Sequence, residues 1–396
     1  MPKGQLIKKN KTKLRVLLIQ LPFIQYSLWK SWGNVPLAAG YLKSMCYKTG
    51  LSGKVDIEIL DERNSNLSGD AKLIDTIISK SPDMLGFSLY CWNSMRSLFI
   101  AEKVKEKLPD IKIIAGGPEV TIDSRYVLDN PAIDIGCFGE AEFTFVEVMR
   151  HVLMRKKDME GIRGIFYKKR NEVIVTPART FVKNLNALPS PYLLGIINPG
   201  DYDMAWIETK RGCHYSCTYC GDNLRPLRLF PLDRIRKEIR LIVSKGVYNI
   251  KLLDSSFLTT PYFKEICESI KNLNAKKNLF ISAELRAEDL NEKTAALLKD
   301  CGLRTVELGL QSCSPVVLKN INRPTNLKKF IDGIRVLKKN RIQFFIDLII
   351  GLPGETLKSF RETVGFLKEN KLIPHLSVFQ LAILPGTKLK REKNKY

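Results

Sequence analysis

Residues 211–221 of the chain read RGCHYSCTYCG and hold three cysteines in a CxxxCxxC spacing. They follow the apolar stretch Met204 to Thr209, which predicts a strand, so the cysteines fall on a loop. Closely spaced thiolates on a loop suit a soft metal or an iron–sulfur cluster. A structural zinc site usually takes four ligands in two pairs, and no second CxxC occurs in the chain. Three thiolates on a four-iron cluster leave one iron open to a further ligand, whereas the competing interpretation is three ordinary buried thiols.

Length and composition indicate a globular protein with more than one domain. The chain has 396 residues, of which 44% are hydrophobic, enough for about two or three packed domains. No run of about eighteen apolar residues occurs, so we expect no membrane-spanning helix. The basic residues 1–13 lack the apolar core of a secretion signal. Nine cysteines without such a signal indicate reduced thiols and a cytoplasmic protein.

The charge balance is strongly basic, with a net charge of +23 and a pI of about 9.6. Such a balance fits either a nucleic-acid partner or a lysine-rich composition without one. The lysines are scattered over predicted helix faces, and no basic stripe interleaved with aromatic residues stands out. We therefore expect neither a nucleic acid nor a membrane as partner.

Between residues 13 and 153, short apolar runs alternate with amphipathic stretches. The runs predict strands at 14–20, 55–60, 83–90, 111–115 and 133–138, and the stretches predict helices at 36–47, 71–79, 94–108 and 142–153. This alternation predicts a parallel, doubly wound sheet, whose ligands bind at the carboxyl ends of the strands. Aromatic and polar residues follow the third strand, and Gly116 and Gly117 follow the fourth, where glycines let a backbone approach a large ligand or simply form a turn.

The region from 202 to 385 repeats a strand, a loop and a helix. Strands are predicted at 205–209, 249–253, 279–283, 305–310, 343–350 and 377–383, and helices at 232–244, 262–273, 292–300, 315–321, 327–338 and 357–369. Six such units make a partial barrel, since eight close a full one. Functional residues of barrels lie at the carboxyl ends of strands, and the cysteines follow the first strand accordingly. Polar residues or glycines also follow each of the other five, although Glu307 and Arg286 are open to a second interpretation as an interior ion pair.

The cysteine loop, with its aromatic Tyr219 before the third cysteine, resembles that of the radical S-adenosylmethionine (SAM) superfamily. Four other segments resemble motifs of the same superfamily: LLDSSF at 252–257, ISAELRAE at 281–288, VELGLQSCSPVVLKNINR at 306–323 and LIIGLPGET at 348–356. The resemblance implies a [4Fe–4S] cluster held by Cys213, Cys217 and Cys220. It further implies SAM contacts from Tyr219, Asp254, Ser255, Glu284, Arg286, Glu307, Gln311, Gly351 and Pro353.

The first half of the chain is similar to the cobalamin-binding domain that precedes many radical SAM cores. The similar segments are VPLAAGYLKS at 35–44, DMLGFSLYCWN at 83–93, IKIIAGGPEV at 111–120 and IDIGCFGEAEF at 133–143, and LAILPGTKL at 381–389 matches the end of the cobalamin-linked subgroup. The resemblance implies cobalamin contacts from Ser88, Tyr90, Trp92, Asn93, Gly116, Gly117, Pro118, Glu119 and Glu140. Trp92 is also open to interpretation as a core or interface aromatic.

One feature departs from many cobalamin domains, in which the histidine of a DxHxxG motif binds cobalt. The three histidines here, His151, His214 and His375, lack that context. The lower face of cobalt is therefore expected to be open, or held by water or a group near residues 90–93. His214, between two of the cysteines, is expected to face solvent.

The expected organisation is a disordered basic tail at 1–12, a cobalamin-binding domain at 13–153 and a linker with a β-hairpin at 154–201. A radical SAM core at 202–387 and a solvated basic tail at 388–396 complete it. The hairpin is predicted from the apolar runs at 164–167 and 173–175.

The resemblance implies an α/β enzyme that cleaves SAM reductively to a 5′-deoxyadenosyl radical and transfers a methyl group from methylcobalamin to an unactivated carbon. A low-potential electron donor of the flavodoxin or ferredoxin type is implied, with a small molecule or a peptide as substrate. The catalytic residues and the substrate are not identified at this point.

Three alternatives stay open. The enzyme could rearrange or cyclise its substrate without methylating it. It could modify RNA, although the methylthio-transferring relatives that do so carry three further clustered cysteines, and Cys46, Cys91 and Cys137 are scattered. It could also be a cofactor-binding module without catalysis.

Overall fold

The computed structural model of the protein describes residues 13–23, 34–156, 158–170, 172–274 and 278–395. The chain divides into two compact units, Met1–Thr180 and Phe181–Tyr396. Each unit is built on its own sheet with parallel strands, so the predicted α/β class is confirmed. No helix in the described part of the chain has the length and apolar character needed to cross a bilayer. The predicted tail at 1–12 lies outside the described residues.

The first unit contains a seven-stranded sheet in the order β2-β1-β3-β4-β5-β6-β7. Its strands are β1 (Leu14–Ile19), β2 (Val55–Ile59), β3 (Met84–Ser88), β4 (Lys112–Gly116), β5 (Ile135–Cys137), β6 (Ile165–Lys169) and β7 (Glu172–Val175). Its helices are α1 (Leu37–Lys48), α2 (Glu62–Asn66), α3 (Asp70–Lys80), α4 (Ser94–Lys107), α5 (Arg125–Leu128) and α6 (Glu142–Leu153). The first five strands pair in parallel, as the alternation of strands and helices predicts.

The central strands of this sheet are apolar throughout because helices cover both faces. In β1, the side chains of residues 16–19 are all buried, without the alternation of a half-exposed strand. The short helix α2 was not predicted, because its residues ERNSN have no apolar period. Its N-cap residue is Asp61, whose carboxylate accepts a hydrogen bond from the Asn64 amide at 2.9 Å.

The predicted hairpin is present, but the structure differs from the expected linker because the hairpin extends the first sheet. Strand β6 pairs antiparallel with β5, with Tyr167 opposite Ile135. Phe166 is completely buried, and its ring lies against Gly136, where a Cβ would stand only 2.0 Å from the ring. Because β5 has only three residues, a sequence pattern alone does not show which strand the hairpin joins.

The second unit contains a six-stranded parallel sheet in the order β15-β14-β13-β12-β11-β8, and a two-stranded ribbon of β9 and β10. The strands are β8 (Ala205–Ile207), β9 (Lys210–Arg211), β10 (Arg228–Leu229), β11 (Asn249–Leu252), β12 (Phe280–Leu285), β13 (Leu303–Gln311), β14 (Gln343–Ile350) and β15 (Leu376–Gln380). The helices are α7 (Leu232–Ser244), α8 (Phe263–Leu273), α9 (Glu292–Cys301), α10 (Pro315–Asn320), α11 (Leu327–Lys339), α12 (Leu357–Glu369) and α13 (Lys388–Arg391). The six βα units form a partial barrel whose sheet stays open between β8 and β15.

The C-terminal residues differ from the expected solvated tail. They form helix α13, in which Leu389 is only 3% exposed. Thr387 caps this helix by accepting a hydrogen bond from the Lys390 amide at 3.2 Å. One apolar residue in a charged run gives a weak sequence signal, yet Leu389 is buried and its amide bonds to the Thr218 carbonyl.

We expect Phe166→Ala to lower the free energy of unfolding of the first unit by about 3–5 kcal/mol, because it empties a fully buried site against Gly136. Urea unfolding followed by circular dichroism measures this loss. Val175→Ala, at a position on β7 that is 40% exposed, is the control and should cost less than about 0.5 kcal/mol. An equally small loss for Phe166→Ala would show that the hairpin does not stabilise the sheet.

Candidate active site

The three cysteines lie on the loop between β9 and β10, which we call the cysteine loop (residues 212–227). The two strands form an antiparallel ribbon, with Arg211 opposite Arg228. The loop leaves β9 through Gly212, whose φ is +84°. A Cβ at this position would lie 2.4 Å from the Pro226 carbonyl oxygen, so only glycine allows the loop to close this tightly.

Hydrogen bonds from two distant segments fix the backbone around Cys217. The Thr218 amide donates to the Ile321 carbonyl at 2.9 Å, and the Leu389 amide donates to the Thr218 carbonyl at 2.9 Å. The Asn322 side chain donates to the carbonyl and the hydroxyl of Ser216 at 3.0 and 2.7 Å. The loop is therefore shaped by the protein itself.

A second set of contacts holds the first half of the loop against the end of β12. The Tyr215 hydroxyl donates to Asp289 at 2.7 Å. The guanidinium of Arg286 lies over the Tyr215 ring, 4.4 Å from its centre. Arg286 also forms an ion pair with Glu288 at 2.7 Å, so the alternative interpretation of an interior pair with Glu307 is not supported. Glu307 pairs instead with Lys251, at 3.2 Å.

One cavity brings the three cysteines together with most of the predicted SAM contacts. Its lining consists of Cys213, Tyr215, Cys217, Tyr219, Cys220, Asp222, Ser255, Glu284, Leu285, Arg286, Glu307, Gly309, Gln311, Arg323 and Asp347. Of the nine residues that the resemblance implied, six line this cavity. Asp254, Gly351 and Pro353 do not.

Asp254 does not line the cavity, and its carboxylate holds the backbone that leads into the cysteine loop. It accepts hydrogen bonds from the amides of Thr209 and Lys210 at 3.0 and 3.2 Å, and another from the Thr209 hydroxyl. Its side chain is 2% exposed. Burial raises the pKa of Asp254 to about 6, against the opposing effect of these hydrogen bonds. A motif match alone does not distinguish such a positioning carboxylate from one that faces a ligand.

Gly351 and Pro353 form the turn after β14. The Gly351 amide donates to Glu355 at 2.7 Å, and the Pro353 carbonyl accepts from Asn320 at 3.1 Å. The φ of Gly351 is +88°, a value that favours glycine. In this structure the two residues shape the turn.

Arg323 is a site residue that sequence reasoning missed. Its guanidinium donates to the Cys217 sulfur at 3.5 Å and to the Gly309 carbonyl. The side chain is 8% exposed, and its Nε has no hydrogen-bond partner among the described residues. The motif at 306–323 ends on this arginine, but nothing in the sequence separates it from a surface arginine. Tyr215, Asp222 and Asp347 also line the cavity and were not predicted.

Three carboxylates share the inner face of the barrel with one lysine. Glu284 on β12 lies beside Glu307 on β13. Asp347 is on β14, where it lies beside Gly309 of β13. Burial and the neighbouring Glu307 raise the pKa of Glu284 to about 7, while Lys251 opposes the shift. The same two causes raise the pKa of Asp347 to about 6. The cavity thus favours a ligand that carries positive charge or donates hydroxyl hydrogens.

The chemistry of the three cysteines suits an iron–sulfur cluster. All three line one cavity, and thiolates are the ligands that iron–sulfur clusters take in proteins. In a four-iron cluster each cysteine binds a different iron, so three cysteines leave the fourth iron open. Burial raises the pKa of the Cys220 thiol to about 12, and a bound metal would supply the stabilisation that its thiolate needs.

In the first unit, some of the predicted cobalamin contacts are exposed, whereas others are engaged in hydrogen bonds or packing within the protein. Tyr90 and Trp92 stack at 4.5 Å with an angle of 11° between their rings, and Trp92 is 43% exposed, which excludes the core interpretation. A Cβ at Gly116 would meet nothing within 4 Å. Open backbone and a flat aromatic pair at the carboxyl edge of a parallel sheet suit a large planar ligand. Ser88, Pro118 and Glu140 are also at least partly exposed at this edge.

Asn93, Glu119 and Gly117 hold the edge itself. The Asn93 side chain is 1% exposed and donates to the Leu21 carbonyl at 2.7 Å while accepting from the Tyr90 amide at 2.8 Å. Glu119 accepts from the Tyr126 hydroxyl. Gly117 packs against Leu89, whose carbonyl oxygen would lie 2.5 Å from an added Cβ. None of the three histidines follows a strand of this sheet, and His214 is exposed as expected.

Two family models match the chain. Residues 207–367 match the radical SAM superfamily, and residues 34–149 match the B12 binding domain. The first match contains the cysteine loop and strands β9 to β14, and the second contains strands β2 to β5 with the Tyr90–Trp92 pair.

Two relatives are similar to this chain over most of its length. It is 30% identical to the cobalamin-dependent radical SAM methyltransferase TokK of Streptomyces tokunonensis, over 78% of this chain and 48% of that protein. It is 28% identical to the uncharacterized methyltransferase PH0819 of Pyrococcus horikoshii, over 95% of this chain and 83% of that protein. The chain therefore spans about half the length of TokK.

The fold is similar to that of the radical SAM methyltransferase TsrM of Kitasatospora setae, solved with cobalamin and a [4Fe–4S] cluster. The TM-score is 0.73 at 17% identity, over 95% of this chain and 77% of that one. This likeness shows that the two chains share a fold.

We expect Asp254→Ala to destabilise the second unit by about 1–3 kcal/mol for each of the Thr209 and Lys210 amides that it leaves buried and unpaired. Asp254→Asn keeps an acceptor and is the matched control. The folded pKa lies above the unfolded value of 3.8. Relative to the Asn variant, the wild type should therefore lose stability as the pH rises from about 4 through about 6. Urea unfolding at several pH values measures both effects, and equal stability of the two variants would contradict this role.

Proposed function

We propose that this chain, which belongs to the radical SAM superfamily and carries a B12 binding domain ahead of its radical SAM core, is a cobalamin-dependent radical SAM methyltransferase. The observation that carries the proposal is the single cavity in which three cysteines meet two buried arginines and a set of carboxylates. The proposed reaction is methyl transfer to an unactivated carbon of a small-molecule or peptide substrate. A low-potential electron donor completes the system, in a reducing compartment such as the cytoplasm.

When bound, the cluster and SAM supply an electron and a 5′-deoxyadenosyl radical that removes hydrogen from the substrate, and cobalamin supplies the methyl group. The thiolates of Cys213, Cys217 and Cys220 would hold three irons of the [4Fe–4S] cluster and leave the fourth for SAM. Because hydrogen bonds already fix the loop around Cys217, the protein orders its ligands before the cluster enters.

The arginines and carboxylates of the cavity suit the charges of SAM. Arg286 and Arg323 are both more than nine-tenths buried, and the Nε of each lacks a hydrogen-bond partner among the described residues. The free Nε–H of each would donate a charged hydrogen bond to the carboxylate of SAM. Glu284, Glu307 and Asp347 would accept hydrogen bonds from the ribose hydroxyls and favour the positive sulfonium. Ser255, Gln311 and Tyr219 complete this proposed contact set.

In the first unit we assign cobalamin to the open edge at Tyr90, Trp92 and Gly116. The aromatic pair offers a flat face, and Gly116 leaves room for close backbone contact. Asn93, Gly117 and Glu119 would act indirectly by keeping this edge in place. Cobalt would then have no histidine of this sheet as its lower ligand.

The experiment that tests the function is anaerobic reconstitution of the full chain with iron, sulfide and hydroxocobalamin. Formation of 5′-deoxyadenosine from SAM tests radical chemistry, and the visible spectrum of the repurified protein tests cobalamin retention. A product heavier than its substrate by one methylene shows methylation. A product of unchanged composition would show rearrangement instead, and a cluster that never cleaves SAM would show a binding module.

We expect each of Cys213→Ala, Cys217→Ala and Cys220→Ala to abolish the cluster, because two thiolates cannot hold three irons. Iron content, absorbance near the brown cluster band and 5′-deoxyadenosine formation should all fall to background. Cys313→Ala is the matched control, since Cys313 does not line the cavity, and it should keep both iron and cleavage. Iron retained by the triple variant would show that the ligands are assigned to the wrong residues.

We expect SAM to bind more tightly as the pH rises from 6 to 8. The pKa of Glu284 is about 7, so the carboxyl group is mostly protonated at pH 6 and ionised at pH 8, when it attracts the sulfonium. Affinity measured by equilibrium dialysis on reconstituted protein should increase by about three- to tenfold. Glu284→Gln should remove most of this dependence, whereas Glu268→Gln, on the exposed face of α8, should keep it. An unchanged pH dependence in Glu284→Gln would contradict the assignment.

A further inference from the structure

A dense basic segment lies directly beside the cysteine loop. Residues 388–395 carry five basic side chains against one acidic side chain, Glu392. Lys388, Arg391, Lys393 and Lys395 are exposed. Glu392 pairs with Lys395 at 3.3 Å, whereas Lys388, Lys390 and Lys393 have no ion-pair partner among the described residues. We call residues 388–395 the basic segment.

The basic segment is fixed to the barrel. Thr387 is completely buried and bonds to the Leu384 carbonyl at 2.7 Å, and Leu389 is 3% exposed. Arg391 donates to the Gly386 carbonyl at 2.6 Å. The unpaired ammonium groups are therefore presented from an anchored backbone, unlike those of a loose tail.

The anchor point is the cysteine loop itself. The Leu389 amide donates to the Thr218 carbonyl at 2.9 Å, and Thr218 is the neighbour of Cys217 in the chain. Lys388 and Lys390 flank Leu389, each with its Cα ~3.8 Å from that of Leu389. A single hydrogen bond therefore joins the basic segment to Thr218, the residue next to the proposed cluster ligand Cys217.

We propose that the basic segment docks an acidic, low-potential electron-carrier protein that reduces the cluster. The inference rests on the proposed function, because only a reducible cluster needs such a carrier. In the step it supports, the reduced flavin or iron–sulfur centre of the carrier loses one electron and the cluster gains it. No covalent bond changes.

Charge complementarity selects this kind of partner. A surface of unpaired lysines attracts an acidic protein over long range and raises its rate of encounter at low salt. Single-stranded RNA is the other polyanion to consider, but RNA-binding surfaces add aromatic side chains on which bases stack. Residues 387–396 contain a single aromatic residue, Tyr396, which is too few for a row of stacked bases, so the segment suits an acidic protein surface better.

The test compares two triple variants with equal changes of charge. Lys388→Glu/Lys390→Glu/Lys393→Glu reverses the basic segment. Lys338→Glu/Lys368→Glu/Lys371→Glu reverses three exposed lysines that precede β14 and β15, at the amino ends of the strands and away from the cysteine loop. The probe is a purified acidic flavodoxin, and its binding to the full chain is measured by calorimetry at low and high salt, before and after cluster reconstitution.

We expect the first variant to weaken flavodoxin binding by about tenfold or more at low salt and to lose most of the salt dependence, while the second stays within about twofold of the wild type. Reduction of the reconstituted cluster by reduced flavodoxin should slow in proportion, but reduction by dithionite should not change. Equal weakening in both variants would overturn the proposal by showing a nonspecific charge effect. Unchanged flavodoxin binding with loss of RNA binding would overturn it in favour of RNA. Because docking is measured on the metal-free chain as well, a failure to load iron would count against the proposed function alone.

Discussion

The backbone of the cysteine loop around Cys217 is held by hydrogen bonds from residues far away in the sequence, and the site depends on that restraint. The Ile321 carbonyl and the Leu389 amide bond to the two sides of Thr218, and Asn322 bonds to Ser216. Without these bonds a loop entered through a glycine at positive φ would sample many conformations. Cysteines held in this way would bind a metal at a small cost in conformational entropy.

Two motif residues use their polar groups to hold the protein's own backbone. Asp254 uses its carboxylate to hold the Thr209 and Lys210 amides, and Asn93 does the same for the edge of the first sheet. Buried polar groups without partners are destabilising. At a strand end that binds a ligand, some polar side chains must therefore form hydrogen bonds with the backbone. Other residues line the cavity. Arg323 has an Nε without a hydrogen-bond partner among the described residues, and Glu284 has a raised pKa, as is common for residues of functional sites.

Charge is distributed unevenly around the second unit. The inner face of the barrel gathers Glu284, Glu307 and Asp347 around Lys251, although the chain as a whole carries a net charge of +23. The acidic interior suits a cationic ligand, while the basic exterior near α13 suits an acidic partner protein. A net charge by itself therefore says little about the partner, because the two surfaces would select ligands of opposite sign.

The sequence alone determined the order of the main strands and helices of both sheets, because apolar periods of about two and 3.6 residues report burial directly. It missed the short elements α2, α5 and α13 and the ribbon of β9 and β10, which lack such a period. It also determined the cysteine loop, since its spacing is local and each thiol serves the same site. Only the tertiary structure decided that the hairpin at β6 and β7 extends the first sheet, because pairing with a three-residue strand leaves no local pattern. The same holds for Arg323 and Leu389, whose roles come from contacts with residues 106 and 171 positions earlier in the chain. A sequence shows which side chains are available, but whether each one faces a ligand or holds the backbone depends on what the folded chain brings next to it.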